Sequence, residues 1–276
     1  MEAVKLKVND PWRPRLAPER QVAAEARRLF TAYEQARAAA AAVPGWMYWK
    51  RYPNDREYLV RAYDRTGRGT TLGSRSEVTE SQFLQFKARQ VEAKMQLKLA
   101  RDNLKLHARF AKAARLNRVP RDVAAVLRAC AEIGGPSVKV VSAHALYAYE
   151  ALAEVLIEPR LMAADTLELE LEGEGGDDAA DLEAALLSAD PTYRRAGDDS
   201  EWVNGGGMVV RRRDPSTEVA PASLSQIVID QDGMPLEMRV GDPLEYARTT
   251  KSVENAGAVE ALFAHAAPMA QLPMNT

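Results

Sequence analysis

The fold of this chain is constrained most by a change in residue pattern near residue 120. Before this point long helical patterns dominate, and after it short β-rich segments alternate with helical ones. The clearest strand is TLELELE (166–172), in which leucine and glutamate alternate with the period of two that is typical of a half-buried strand. Alternating strands and helices form a sheet that is covered by helices. The sequence therefore predicts an α/β layer from about residue 120 onward.

The segment before residue 120 contains two helical patterns and a hairpin. Residues 19–42 are rich in helix formers and end before Pro44-Gly45, a helix stop. The aromatic and β-branched stretch that follows is interrupted by PND and TGRG, which predicts short antiparallel strands. A second helical pattern runs from Ser76 to about Asn117. We predict an N-terminal helical and hairpin region over 1–118, a mixed-sheet core over 119–252, and a C-terminal helix and tail over 253–276.

The second helical pattern carries a stripe of large apolar residues. The stripe recurs at steps of seven and four and consists of Leu84, Val91, Met95, Leu99, Leu106 and Phe110. This spacing places them on one face of a helix, which is typical of a packing seam. We expect the seam to pack on the rest of the chain or on a second copy, which would make a homo-oligomer. If Leu99 is buried in this way, its truncation to alanine would cost roughly 2 to 5 kcal/mol.

The formal net charge of −2 hides a strong charge asymmetry along the chain. Residues 75–121 contain 12 Lys/Arg and 4 Asp/Glu, whereas residues 150–201 contain 3 Lys/Arg and 16 Asp/Glu. A basic segment can mark a surface for nucleic acid, phosphate or a protein partner. Alternatively, the two oppositely charged segments face each other, or each faces water, as exposed helices commonly do.

Several classes of site have no support in the sequence. Cys130 is the one cysteine, so neither an internal disulfide nor a cysteine-rich metal site is expected. The three histidines lie far apart, without HExxH spacing, and there is no P-loop and no G-x-S-x-G. The chain has no apolar start like a signal peptide and no apolar run near the roughly 20 residues of a membrane helix. We therefore expect a cytoplasmic protein without a membrane span.

Three stretches of the chain together resemble one family. They are MYWKRYPNDREYLVRAYDRTGRGTTLGSRSEVTE, then RLNRVPRDVAAVLRAC with VVSAHALYAYEALA, and finally NGGGMVVRRRDP with IVIDQDGMPLEMRVGDPLEYARTTKS. They are similar to the "YW" and "SLGPRS" hairpin, the "LGRVP" and "VVGTHALYAYE" motifs, and the later "N-x-x-G-y-x-V-D-L-I-x-P" segment of the bacterial nucleotidyltransferase-like proteins, which have the polymerase-beta superfold. The resemblance covers roughly residues 45–252.

The resemblance implies a mixed-sheet nucleotidyltransferase core. In that family a turn at the start of a helix holds the nucleotide phosphates, an Asp-x-Asp pair lies on the next strand, and a third Asp lies on a neighbouring strand. Alternate residues of a strand point to one face, so such acids converge on one site. Converging carboxylates bind Mg²⁺, and metal ions stabilise the oxygens of phosphoryl transfer from an NTP.

The resemblance also assigns candidate nucleotide-binding residues. The phosphate turn, Gly-Thr in the family, corresponds to Ser142 and Ala143, so the glycine that permits close backbone approach is missing. His144 matches the family and would contact the substrate; alternatively, it is a helix-start histidine that hydrogen-bonds the backbone. The family's later His-Lys pair corresponds to Thr250 and Lys251.

The acid pair of the family corresponds to Glu168 and Glu170. Their alternation and charge suit two Mg²⁺ ligands, although the extra methylene of each moves the carboxylate by on the order of 1 Å. Alternatively, Glu168, Glu170 and Glu172 form the solvated face of an amphipathic strand whose leucines point inward. Both interpretations stay open.

The position of the third acid is occupied by Arg211. A guanidinium beside two glutamates would pair with them and repel a divalent cation. We therefore predict that Arg211 lies within salt-bridge reach of Glu168 or Glu170. Asp214, the nearest acid, would face the opposite side of an unbroken strand.

These departures favour a nucleotidyltransferase-fold protein with an impaired metal site that acts by binding a nucleotide, a nucleic acid or a protein. The alternative is an active metal-dependent enzyme that moves NMP from an NTP to an unknown acceptor and uses Glu168 and Glu170. An unrelated helical interaction protein is the third hypothesis.

Overall fold

The fold was analysed in a computed structural model that describes residues 11–53, 56–63, 69–133, 137–172, 178–197, 200–213 and 223–250, with 256–257, 259–260 and 262–263. The fold is mixed α/β with an N-terminal helix and hairpin, as predicted. The chain forms two compact units. The first unit contains the described residues up to Ala26 and from Ala108 onward, and the second contains Arg27–His107.

Most described residues belong to helices or strands. The helices of the described residues are α1 (Ala17–Ala41), α2 (Glu77–Ala113), α3 (Arg121–Ile133), α4 (Leu146–Leu152), α5 (Pro159–Met162), α6 (Asp178–Ala189) and α7 (Pro243–Thr249). The strands of the described residues are β1 (Trp12–Pro14), β2 (Trp46–Arg51), β3 (Glu57–Ala62), β4 (Gly69–Ser74), β5 (Ser137–Val140), β6 (Val155–Ile157), β7 (Thr166–Glu172), β8 (Arg194–Arg195), β9 (Glu201–Val203), β10 (Val209–Arg213), β11 (Leu224–Ile229) and β12 (Pro235–Val240). Across the described residues, no helix is both long and apolar enough to pass through a lipid bilayer.

The first unit is built on a seven-stranded sheet of order β11-β12-β5-β7-β10-β9-β8. Strand β7 runs antiparallel to β5 and parallel to β10. One face of the sheet is apolar, because Leu167 and Leu169 of β7 and Val210 of β10 are fully buried in a common core. Helices α3 and α4 pack on this face, and α6 packs on α3. The predicted inward direction of the β7 leucines is thus confirmed, and the charged residues between them face the other side.

A short strand replaces the end of a predicted helix in the first unit. The segment HALYAYEALAEVL (144–156) has a helical pattern that predicts one helix, but α4 stops at Leu152 and Val155–Ile157 forms β6, antiparallel to β1. The break coincides with Glu154, whose φ of 53° is incompatible with a continuing α-helix. The helical expectation was wrong here because the partner strand, Trp12–Pro14, lies about 140 residues away in sequence and leaves no local signal.

The second unit contains the predicted hairpin as a three-stranded antiparallel sheet of order β2-β3-β4. Phe86 of α2 packs with Met47 and Leu59 of this sheet. Gly45 enters β2 with a φ of 76°, and a Cβ there would lie 2.1 Å from the carbonyl oxygen of Ala62. The Pro44-Gly45 helix stop therefore also requires a glycine for the close approach of two strands.

Helix α2 has the predicted period but buries a different face. Its start is capped, since the hydroxyl of Ser76 accepts a hydrogen bond from the Thr79 N–H at 3.3 Å. The predicted seam is exposed instead of packed, with exposed fractions of 56% to 65% for Leu84, Val91, Met95, Leu99, Leu106 and Phe110. The buried large apolar residues of α2, Phe86 and Leu104, lie on the opposite side of the helix. Within the second unit, packing of the seam on the rest of the chain was therefore wrong, whereas packing on a second copy stays a prediction.

Truncating one leucine on each face of α2 tests which face is buried. Leu104 is 2% exposed, so Leu104→Ala should lower the free energy of unfolding by about 2 to 5 kcal/mol. Leu99 is 57% exposed, so Leu99→Ala should change it by less than about 0.5 kcal/mol, since alanine also favours the helix. Urea denaturation of both variants measures the difference. A cost above about 2 kcal/mol for Leu99→Ala would show that the seam is covered in solution.

Candidate functional site

The candidate site is the charged face of the seven-stranded sheet, opposite the helix-covered core. Residues of five adjacent strands, β12, β5, β7, β10 and β9, reach this face. Because neighbouring strands are in register, each residue of β7 has a defined partner on β5 or β10, and Leu169 and Glu170 have one on both. The chemistry of the face follows from these cross-strand pairs.

The first pair joins β7 to β10. Arg211 is the register partner of Glu168, and its guanidinium nitrogen lies 3.4 Å from Glu168 Oε1. The predicted proximity of Arg211 to the acid pair is therefore confirmed. Arg211 also donates to Glu201 of β9 at 2.7 Å, and this hydrogen bond is the main reason that its pKa is raised. Arg213 adds a second cation, with its Nε 3.9 Å from Glu168 Oε2.

The second and third pairs join β7 to β5 and β12. Lys139 of β5 is the register partner of Glu170 and forms a salt bridge with it. Lys139 is 7% exposed, so this pair lies largely out of water. Glu172 lies 3.4 Å from a guanidinium nitrogen of Arg239 and accepts a hydrogen bond from the Ser137 hydroxyl at 3.2 Å.

Charge on this face is thus balanced internally. Among the described residues, four carboxylates face four cations: Glu168, Glu170, Glu172 and Glu201 against Lys139, Arg211, Arg213 and Arg239. The three β7 glutamate side chains are 16% to 28% exposed, so they face partners more than open water. Within the same residues, no three His, Cys, Asp or Glu side chains come together as a group that could hold a metal ion.

The predicted phosphate turn follows β5 directly. The Val141 N–H donates to the Glu168 carbonyl at 3.0 Å, which places the turn at Ser142 beside the middle of β7. Ser142 and His144 are 8% and 3% exposed, and the Ser142 hydroxyl lies 3.0 Å from His144 Nδ1. His144 therefore pairs with a neighbouring side chain at the start of the turn. Burial lowers the pKa of His144, against a smaller opposing effect of Asp122, which favours a neutral imidazole.

The remaining predicted residues are placed as follows. Ala143 and His144 form a single 3₁₀ turn with Ala145, and α4 starts at the next residue. Lys251 and Asp214 lie outside the described residues. Helix α7, which precedes Lys251, is capped by Asp242, whose carboxylate accepts from the N–H groups of Leu244 and Glu245.

A buried ion cluster connects the motifs on which the family resemblance depends. Glu150, the last residue of HALYAYE, is 3% exposed and lies 3.1 Å from Arg118 of the RVP segment. Arg15 approaches the same carboxylate at 3.9 Å, and the Ile157 N–H donates to it at 2.8 Å. The cluster therefore ties α4 to β6, to the start of α1 and to the segment before α3.

Burial dominates the electrostatics of this cluster. It raises the pKa of Glu150 to about 7, although Arg118, the Ile157 N–H and Arg15 oppose the shift. Burial also raises the pKa of the neighbouring Tyr147 to about 12. These side chains border a small pocket of the first unit together with apolar residues of α1 and β11. The arrangement explains why a carboxylate interrupts an otherwise apolar helix.

Sequence reasoning missed the partners that neutralise the acids. Lys139 lies in the alternating segment VKV and Arg239 in EMRV. Once both segments are predicted as strands, the alternation indicates to which face of the sheet each side chain points. Their pairing with Glu170 and Glu172 could not be predicted from the sequence, because it depends on the order and register of the strands in the sheet. Glu201 gave no signal beyond its position in a short apolar segment.

Comparison of the chain with protein-family models, with curated proteins and with solved structures gives no match.

The pH dependence of stability tests the Glu150 cluster. Between pH of about 4.5 and 7, folded Glu150 holds a proton that the unfolded chain has lost, so the free energy of unfolding should fall as pH rises through this window. Glu150→Gln removes this contribution. Between pH 5 and 8, the free energy of unfolding of the wild-type protein should fall by up to roughly 3 kcal/mol more than that of the variant. Urea denaturation across this pH range measures the difference.

The exposed Glu132 of α3 provides the matched control, and Glu132→Gln should follow the wild-type pH profile. Parallel profiles for the wild-type protein and Glu150→Gln would contradict a raised pKa at Glu150.

Proposed function

We propose that this chain is a nucleotidyltransferase-like protein that acts by binding a partner and does not carry out metal-dependent nucleotidyl transfer. The family resemblance supports the nucleotidyltransferase-like part of the proposal. One observation carries the rest: each glutamate on the charged face of β7 is paired with a lysine or arginine of another strand of the same sheet.

The electrostatic reason is that Mg²⁺ and these cations compete for the same oxygens. Mg²⁺ requires near-octahedral oxygen ligands at about 2.1 Å and gives up its waters reluctantly. A divalent ion about 5 Å from one guanidinium would be repelled by roughly 6 to 7 kcal/mol at an effective dielectric constant of about 20. Arg211 and Lys139 flank Glu168 and Glu170 from opposite sides. The donor set therefore fits a salt-bridged sheet surface and does not fit a Mg²⁺ site.

The active enzyme remains the second candidate, and one feature favours it. Glu168 and Glu170 reach the same face of β7, next to the turn at Ser142, which is the arrangement that the resemblance implies for catalytic acids. For metal to bind, Arg211 and Lys139 would have to release these carboxylates. Catalysis by this route requires a metal affinity that the paired carboxylates lack.

Calorimetric titration with Mn²⁺ tests the proposal. The unmodified protein should show no saturable site below about 1 mM, because its carboxylates are shared with cations. Arg211→Asp should bind Mn²⁺ at least about tenfold more tightly, since it replaces a repelling charge by a ligand. Arg194→Asp makes the same charge change on the edge strand β8 of the same sheet, and it should behave as the unmodified protein.

A pyrophosphate-release assay with the four common NTPs and mixed RNA and protein acceptors complements the titration. The proposal predicts no release above background. Tight Mn²⁺ binding by the unmodified protein, lost in Glu168→Ala and accompanied by pyrophosphate release, would overturn the proposal in favour of the enzyme.

A further inference from the structure

Helix α2 presents an uncovered apolar strip within the second unit. The strip consists of Leu84, Val91, Met95, Leu99 and Leu106, each more than half exposed. At 1.5 Å per residue it is about 33 Å long, or roughly six helical turns. Large apolar side chains that form a continuous exposed strip mark an interaction surface.

A row of cations follows one edge of this apolar strip. The row consists of Lys87, Lys94, Lys98, Arg101 and Lys105, which follow one another at steps of seven, four, three and four. At about 100° per residue these positions fall within an arc of roughly 60° beside the strip. Among the described residues, no salt bridge involves any of the five: Lys87 lies over the Phe83 ring at 5.7 Å, and the other four are exposed and available to an external acid.

The other edge of the strip is chemically different. It carries the amides Gln85, Gln96 and Asn103 and one acid, Glu92, all of them exposed. The surface is therefore directional, with an apolar centre, a cationic edge and an edge of amides with one acid. A partner that matches it needs an apolar seam with carboxylates along one side.

We propose that this surface of α2 docks an acidic amphipathic helix of a partner protein. Such a helix would lay apolar side chains at steps of three and four against the strip and Asp or Glu against the cationic row. Complementary rows of charge fix orientation and partner choice between two helices. The surface is separate from the charged face of β7, so this inference does not depend on the proposed absence of catalysis.

A second copy of α2 does not supply the missing acids. In an antiparallel pair related by a two-fold axis, the cationic rows of the two copies lie along the same side and repel. In a parallel pair, each cationic row faces the edge with Gln85, Gln96 and Asn103, where Glu92 is the one acid. Self-association by either route leaves most of the cations without a partner.

Asp102 argues against a lipid surface as the occupant. It lies 18 residues after Leu84, five full helical turns, and is exposed in the middle of the apolar strip. A carboxylate at this position is costly to place in hydrocarbon. In a helix pair, by contrast, a single polar residue within an apolar seam sets the register by meeting a polar or basic partner.

Two synthetic peptides of about 22 residues provide the probes. Both carry the same leucine and isoleucine seam at heptad positions a and d; one has glutamate at positions e and g, and the other has lysine there. Fluorescence anisotropy with the full chain at about 50 mM salt should show at least tenfold tighter binding of the glutamate peptide. Met95→Gln with Leu99→Gln should weaken that binding at least tenfold.

Charge reversal of the row provides the decisive comparison. The combined variant Lys94→Glu, Lys98→Glu and Lys105→Glu should bind the lysine peptide more tightly than the glutamate peptide. Arg89→Glu changes an exposed cation that lies about 150° around α2 from the cationic row, and it should leave both affinities unchanged. Circular dichroism confirms that each variant retains its helix content. Equal binding of both peptides, or no inversion in the combined variant, overturns the proposal.

Two further outcomes would replace the occupant. Sedimentation that shows a dimer at micromolar concentration, dissociated by Met95→Gln with Leu99→Gln, overturns the proposal in favour of a second copy. In the second outcome, the chain binds vesicles of phosphatidylcholine and phosphatidylserine and fails to bind the glutamate peptide. That result would overturn the proposal in favour of a lipid surface. The proposal predicts a monomer and no vesicle binding above the Arg89→Glu control.

Discussion

The salt bridges between β7 and other strands of the sheet determine both the register of the first unit's sheet and the chemistry of its charged face. Glu168 and Glu170 meet Arg211 and Lys139 on opposite neighbouring strands, while the leucines between them enter the core. A slip of one residue would expose the leucines and bury the glutamates, so apolar burial and charge pairing select the same register. The same pairing occupies the oxygens that a divalent ion would need. One arrangement therefore stabilises the sheet and is the basis of the proposal that the site does not bind metal.

The two units handle charge in contrasting ways. In the first unit acids and bases satisfy each other, both on the sheet face and in the buried cluster of Glu150 with Arg118. On α2 of the second unit, cations from Lys87 to Lys105 stand beside exposed apolar residues without described acids to pair them. Cations without acidic partners and exposed apolar side chains can still gain free energy by binding. The surface of α2 is therefore better suited to a partner than the face of β7, where the charges are already paired.

The sequence predicted the individual helices and strands better than it predicted which of them pair or pack together. The alternation of TLELELE gave the strand, its buried face and its exposed acids, and the family resemblance brought Arg211 beside Glu168. The partners Lys139 and Arg239 required the sheet order, which local patterns do not contain. On α2 two sets share the helical period, the stripe from Leu84 to Leu106 and the set of Phe86 and Leu104, and period alone cannot decide which is buried. β6 was missed because its partner β1 lies far away in sequence.

The most direct test of the central claim is a crystal structure of the unmodified protein grown with Mn²⁺ and a non-hydrolysable NTP, with anomalous scattering recorded at the manganese edge. If the salt bridges persist, no anomalous peak should appear between Glu168 and Glu170, and Arg211 and Lys139 should still be bound to these carboxylates. A manganese peak within about 2.2 Å of both carboxylates, with Arg211 displaced toward the triphosphate, would contradict the central claim.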